Sequence, residues 1–208
     1  MYSLIARSAA SVAASIAAAA LSVLAPTTAT AQDVARPSSL EIRVPGGAMV
    51  ATGGQRDQLK GGQVTAAQLS WALRPALALT GTVAWARGRD LAVAGTPKLD
   101  VFMYDLGLEL RSAERYSDRA LSLRTFAGLG AGARSYNSRA VGEGVTSHLA
   151  GYAAVGGEVG ARRVALRLEV RDYATGMRPR LDGTSAAGND VVVMASLRLA
   201  RRAAANRQ

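Results

Sequence analysis

Apolar and polar residues alternate with a period of two along much of the chain, which predicts β-strands with one apolar and one polar face. In VALRLEVRDY (164–173) the apolar Leu166 and Leu168 alternate with the charged Arg167 and Glu169. The same pattern recurs in segments that begin near residues 40, 68, 77, 102, 121, 149 and 191. The pattern therefore predicts an all-β protein with about eight strands of roughly ten residues.

The connections between these strands indicate how they are arranged. Short links at Pro75, 112–119 and 161–163 alternate with longer polar loops at 53–61, 87–99, 136–147 and 174–188. Outer-membrane barrels have short turns at one end and longer loops at the other. We therefore expect a closed antiparallel up-and-down transmembrane β-barrel. Pro45-Gly46-Gly47 predicts a bulge or bend in the first strand.

The two faces of the predicted strands differ in charge, and this difference assigns them to opposite surroundings. A bilayer requires a charge-free exterior and a sheet without free edges. A small barrel can enclose side chains of both signs if they form ion pairs and hydrogen bonds. We therefore predict that the apolar face meets lipid and that the other face forms a structural charge network in the lumen, made of Glu41, Arg43, Asp105, Glu109, Arg111, Arg124, Arg134, Glu158, Arg167, Glu169, Arg171 and Arg198.

Four aromatic residues on the apolar face are candidates for the two membrane interfaces. Trp71 falls at the end of its predicted strand next to the Pro75 turn, and Trp85 at the opposite end of the next strand. Phe102 and Tyr104 lie on the apolar face of the fourth predicted strand. Such aromatic girdles flank the apolar band of a membrane barrel.

The N-terminal segment has the composition of a secretory signal peptide. Met1–Arg7 is short and basic, Ser8–Ala25 is alanine-rich and apolar, and Ala29-Thr30-Ala31 matches a cleavage site. We expect cleavage after Ala31, a leader at 32–39, the barrel at 40–199 and a tail at 200–208. No later apolar run reaches the ~18 residues of a spanning helix. Export then implies the cell outer membrane of a Gram-negative-type bacterium.

Composition limits the chemistry available to the chain. There is no Cys and one His, so no zinc cluster, disulfide or thiol nucleophile is expected, and we predict no metal and no cofactor. The net charge of +10 is carried mainly by Arg, but no nucleic-acid-binding motif accompanies it. The glycines at 128, 130 and 132 lie at period two with no helix after them, unlike a nucleotide loop. We interpret them as room for Arg and Glu to meet across the lumen.

Two sets of residues were considered for catalysis. Ser147 and His148 could form a catalytic pair at the rim only if the strand is irregular there, because adjacent strand residues point to opposite faces. Glu109, Glu158 and Glu169 could act as acid and base, but the excess of Arg predicts that each is held ionised in a pair. The sequence therefore predicts a protein that is not an enzyme.

Four stretches carry a resemblance to a known family: TFAGLGAGARSY (125–136), GYAAVGGEVGARR (151–163), LRLEVRDY (166–173) and NDVVVMASLRL (189–199). With these strands the chain resembles the small eight-stranded outer-membrane β-barrel proteins, the class that includes outer membrane protein X and the barrel domain of outer membrane protein A. The resemblance implies outer-membrane lipid, lipopolysaccharide and the barrel-assembly machinery as partners, and a monomer. It implies no nucleic-acid partner.

The expected role is structural or interactive, through envelope integrity, adhesion or binding by the loops, because a barrel this small is too narrow for free solute flow. One alternative is a secreted, soluble, lipocalin-like barrel that binds an apolar ligand, with its apolar faces turned inward. A minor alternative is an outer-membrane lipid hydrolase that uses the rim Ser and His.

Overall fold

The computed structural model describes residues 40–116, 121–139, 144–161, 164–179 and 185–199. These residues form one antiparallel sheet that closes on itself into an eight-stranded barrel, so the predicted fold class is confirmed. Within these ranges no helix is long and apolar enough to cross a membrane. The predicted signal peptide, leader and C-terminal tail lie outside the described residues.

Each strand of the barrel pairs with the strands next to it in sequence, and the last pairs with the first. We number the strands in chain order: β1 in two segments, Leu40–Arg43 and Gly46–Thr52, then β2 Gly62–Arg74, β3 Leu77–Asp90, β4 Lys98–Arg111, β5 Leu121–Ser138, β6 Val145–Ala161, β7 Val164–Pro179 and β8 Ser185–Leu199. Short strand segments at Leu59–Lys60 and Arg115–Tyr116 pair with β3 and β5, and a 3-10 turn spans Gly53–Gln55. We call the end of the barrel where β2, β4 and β6 end and β3, β5 and β7 begin the turn end, and the opposite end the loop end.

The first strand is interrupted where the sequence predicts a bend. Its two segments are separated by Val44 and Pro45, yet both keep the same register against β2. Proline has no backbone N–H to donate to the ladder, and the Pro45 carbonyl still accepts a 2.9 Å bond from the Ala66 N–H. The interruption therefore divides β1 into two segments without changing its register against β2.

Two predictions about lengths were wrong. Strands β2 to β8 have 13 to 18 residues rather than roughly ten, because strands extend into the predicted loops at 87–90, 98–99, 136–138, 145–147, 174–179 and 185–188. There both strand faces are largely polar or small, so period two fades while the backbone ladder continues. The connection at 112–120 is also as long as the first loop, 53–61, so short and long connections do not alternate strictly.

The lumen has two regions of different chemistry. Toward the turn end the inward positions carry the charged residues, as the alternation predicts. Toward the loop end they carry a buried apolar cluster that includes Met49, Leu59, Val64, Val101 and Val192. The sequence reasoning missed this cluster because the outward neighbours there are apolar too. In LDVFMY the buried Leu99, Val101 and Met103 alternate with residues that are mostly aromatic, which hides the period.

Candidate functional site

The centre of the charged lumen is a run of three consecutive inward positions on β7. Glu169 accepts hydrogen bonds from both of its neighbours on that face: from Arg167, with Nη2 2.9 Å from Oε2, and from the Arg171 Nε. All three side chains are buried. The period-two sequence alone places them on one face, and the closed sheet removes that face from water.

Pairs across the lumen join β7 to β4. The Arg167 guanidinium reaches Glu109 at 2.5 Å, and Glu109 also accepts a 2.7 Å bond from the Arg111 Nε. Arg171 donates to Asp105 at 3.3 Å and to the Thr82 hydroxyl at 3.0 Å. Arg167 and Arg171 therefore each have a carboxylate partner on their own strand and another on the facing strand.

The network continues to the turn end through Glu41. This carboxylate pairs with Arg43, lies 3.4 Å from the Arg198 Nη1 and lies 3.9 Å from the Arg111 Nη1. Arg198 also pairs with Glu158 on β6. Glu41 therefore links the first strand to β4 and β8 in a region where three arginines converge.

Arg124, one of the twelve predicted lumen residues, is half-buried and pairs with a residue outside the eight strands. Its Nη2 lies 3.4 Å from Glu114, which belongs to the turn-end connection and was not predicted from the sequence. Partial desolvation raises the pKa of Glu114, but hydrogen bonds from Ser122 and Tyr116 and the charge of Arg124 together lower that pKa below its usual value. The pair therefore ties Glu114 to the start of β5.

Arg134 lies apart from the rest and pairs with a residue that sequence reasoning missed. Its partner is Asp190 on β8, and both side chains are completely buried. The guanidinium also donates a 3.1 Å bond to the Met103 sulfur and lies 4.0 Å from the centre of the Tyr173 ring. Asp190 lies two residues before the inward Val192 on β8, so the two side chains point to the same face. The alternation could therefore have assigned Asp190 to the lumen.

Gly130 on β5 and Gly156 on β6 make room for aromatic rings rather than for direct Arg–Glu contacts. A Cβ on Gly130 would overlap the ring of its cross-strand partner Tyr152, and a Cβ on Gly156 would overlap Phe126. Arg171 lies 4.8 Å from the centre of the Tyr152 ring, and Arg167 lies 3.4 Å from the centre of the Phe126 ring. The interpretation of the glycine row as room for ion pairs is therefore corrected at Gly130, where glycine, ring and guanidinium lie in layers. A Cβ on Gly132 would instead lie 2.7 Å from the Asp105 carboxylate, and one on Gly128 would meet no ring.

Replacing Gly130 with Ala should destabilise the barrel by about 1–3 kcal/mol, because the new methyl group overlaps Tyr152 and lies 2.5 Å from the Leu106 carbonyl oxygen. Gly151→Ala on β6 is the matched control, since its Cβ would meet nothing nearer than 3.8 Å. The measurement is reversible urea unfolding of protein refolded into lipid vesicles. Equal stability of the two variants would show that the ring does not use the space above Gly130.

The four predicted interface aromatics all lie on the outer surface. Trp71 and Tyr104 are about half exposed, at 47% and 48%, whereas Trp85 and Phe102 are partly covered. The Trp85 Nε1 donates a 3.1 Å bond to Asp100, and Arg87 lies 4.4 Å from the centre of the Trp85 ring. Asp100 was not predicted because it lies in a stretch assigned partly to a loop.

The rim residues considered for catalysis face opposite sides of β6. The Ser147 hydroxyl is exposed and lies 2.8 Å from that of Ser135, whereas the His148 ring contacts Tyr136 with centroids 6.1 Å apart. The strand is therefore regular at this point, and the two residues do not meet. Among the residues that the structure describes, no three His, Asp or Glu side chains are grouped to hold a metal ion.

The chain was compared with protein families, curated proteins and solved structures. No protein-family model matches the chain, and no curated protein matches it. Among solved structures the chain is similar to Neisserial surface protein A, at 11% identity over 78% of this chain and 99% of that one, with a TM-score of 0.47. It is also similar to Ail, the attachment invasion locus protein of Yersinia pestis, in complex with the heparin analogue sucrose octasulfate. That match has 13% identity over 78% of this chain and 96% of that one, with a TM-score of 0.44. Both are small eight-stranded outer-membrane barrels, the class that the sequence resembles.

Proposed function

We propose that this protein is an integral outer-membrane barrel with a closed lumen, and that it acts in the envelope by surface interaction at its loop end. One observation carries the proposal: the surface of the barrel is apolar where the lumen is charged. Large apolar residues such as Leu106, Leu129 and Leu168 are 60%, 69% and 54% exposed, whereas the ion pairs of the same strands are buried.

The size of this apolar belt fits a bilayer. On β4 the outward residues from Phe102 to Leu110 are all aromatic or leucine and cover about 27 Å along the strand, which is roughly 20 Å of barrel height at a strand tilt of about 40°. A membrane barrel carries an apolar band about 25 Å tall, flanked by aromatic residues. An apolar surface of this extent is unfavourable in water, so lipid is the environment that stabilises it.

The filled lumen supports an interactive rather than a transporting role. Ion pairs between β7 and β4 cross the turn-end half, and the apolar cluster fills the loop-end half. Barrels of eight strands have an interior just wide enough for side chains to fill. The parts of the molecule left to contact partners are therefore the loop end and the outer surface near it.

Both alternative functions are less well supported. A soluble lipocalin-like barrel requires the apolar strand faces to point inward, but these faces are exposed and the arginines are buried. A lipid hydrolase using the rim pair requires Ser147 and His148 to meet, but they lie on opposite faces of β6.

The proposal predicts a detergent-resistant barrel. Protein refolded into detergent should migrate faster in a denaturing gel before boiling than after it, because the closed sheet stays compact until heated. Tagged protein expressed in a Gram-negative host should sediment with outer-membrane fragments. Recovery of folded protein in the detergent-free periplasmic fraction would contradict the proposal.

A further inference from the structure

Five cationic side chains converge on the outer surface at the loop end. Lys60, Arg87, Arg89, Lys98 and Arg139, which we call the basic patch, line a depression of about 300 Å³ together with Asp100 as its carboxylate. The Arg139 guanidinium already donates two hydrogen bonds, of 2.9 and 2.7 Å, to the Asp100 carboxylate. The patch therefore keeps an excess of positive charge.

The strand register makes this excess costly. Arg89 lies directly opposite Lys60 on one side and directly opposite Lys98 on the other. Like charges in directly opposite positions destabilise a sheet. Among the residues that the structure describes, no carboxylate forms an ion pair with any of these three. An anion held between them would remove the repulsion, so the row has the chemistry of an anion site.

An apolar groove lies further along the same strands, toward the turn end. Its floor is made of the small residues Ala67, Gly81 and Ala131, and it encloses about 600 Å³. Larger side chains form its walls: Ile42, Leu69, Val83, Tyr104 and Leu106. The groove thus lies within the apolar belt, where a membrane supplies acyl chains.

The patch and the groove are aligned. Arg87 lies about 20 Å along β3 from Gly81, and Asp100 lies about 20 Å along β4 from Leu106, at about 3.4 Å per residue. Trp85 and Phe102 are paired in register between them. From the loop end toward the turn end, one face of the barrel therefore carries the basic patch, the aromatic pair and the apolar groove.

We propose that this face binds a phosphorylated lipid of the membrane leaflet at the loop end, with its phosphate on the basic patch and an acyl chain in the apolar groove. A phosphate monoester carries about 1.5 to 2 negative charges at neutral pH, which complements the row of three cations. The proposal rests on the membrane insertion proposed above. A second copy of the chain is the weaker occupant, because two basic patches brought together would repel each other.

The test uses the full chain in phosphatidylcholine vesicles with a trace of spin-labelled phosphatidic acid. Electron spin resonance gives the association of this lipid with the protein relative to spin-labelled phosphatidylcholine. Replacing Arg87, Arg89 and Lys98 together with Gln should lower that relative association roughly tenfold. The matched control removes three other exposed charges, with Arg56, Arg74 and Arg115 replaced by Gln, and should change it little.

The acyl half of the site is tested by Gly81→Leu. A Cβ on Gly81 would meet nothing nearer than 4.0 Å, so the variant should fold while it fills the groove. We expect a several-fold weaker association of spin-labelled phosphatidic acid. Gly151→Leu is the control, because Gly151 is also exposed and lies outside the groove. An unchanged association in Gly81→Leu would overturn the proposal.

Two further results would also overturn it. If inorganic phosphate displaces the labelled lipid, and chloride at the same ionic strength does not, the basic patch is a site for free anions rather than for a lipid. If the protein forms a cross-linked dimer and Gly81→Leu abolishes it, the groove holds a second copy of the chain rather than an acyl chain. Flotation of the vesicles separates these outcomes from failure of the proposed function, because a protein that does not insert does not float with lipid.

Discussion

Replacing Asp190 with Asn should destabilise the barrel by about 3–5 kcal/mol, because the change leaves the Arg134 guanidinium charged and completely buried. Asp190 is the carboxylate paired with Arg134, whereas Arg167 and Arg171 each have two. The loss should therefore exceed that of Glu169→Gln, which leaves both arginines with a partner on β4. The measurement is reversible urea unfolding in lipid vesicles.

Two controls separate charge from packing in this experiment. Asp172→Asn makes the same substitution at an outward, half-buried position on β7 and should cost no more than about 1 kcal/mol. Arg134→Met combined with Asp190→Asn removes both charges and should recover much of the loss. If the double variant is as unstable as Asp190→Asn alone, the buried charge is not the cause.

Leu168→Arg should destabilise the membrane-inserted barrel by about 2–4 kcal/mol, because Leu168 lies within the apolar belt of β7 and is 54% exposed. Leu168→Trp should cost less than about 1 kcal/mol. Lipid is fluid and adapts to a larger apolar side chain, and the cross-strand neighbours Gly157 and Ala195 are small. Urea unfolding of both variants in vesicles gives the two values.

The matched control for the tryptophan variant is Val192→Trp. Val192 points inward and is 1% exposed, so a larger side chain there overfills the lumen and should cost at least 1–3 kcal/mol. The expected order of stability is therefore Leu168→Trp above Val192→Trp. The reverse order would mean that the face carrying Leu168 is a packed interior, as a lipocalin-like barrel requires.

The alternation in the sequence was informative where one face is charged and the other apolar. On β7 the alternation from Val164 to Arg171 assigns each side chain to its face, because successive side chains of a strand point to opposite sides. The face that carries the charges is then the enclosed one. It was less informative toward the loop end. There the inward Leu99, Val101 and Met103 of β4 lie next to the outward aromatic residues Phe102 and Tyr104, and the ends of β3, β5 and β7 are polar, so neither the apolar cluster nor the full strand lengths could be predicted.

The partners of the charged residues needed the tertiary structure. Asp190 and Arg134 are 56 residues apart in sequence, and they meet only because β5 and β8 face each other across the closed lumen. The basic patch likewise depends on register, which places Arg89 between Lys60 and Lys98. A shift of one residue in either pairing would send these side chains to the other face.

The sequence by itself determined the class of fold, the number of strands and the strand faces that carry the enclosed charges, because these follow from local periodicity and from the cost of placing charge in an apolar medium. Only the tertiary structure decided the pairing of those charges, the rings that fill the space above the glycines, and the alignment of the basic patch with the apolar groove. These features depend on register and on contacts between distant strands, which sequence periodicity does not encode.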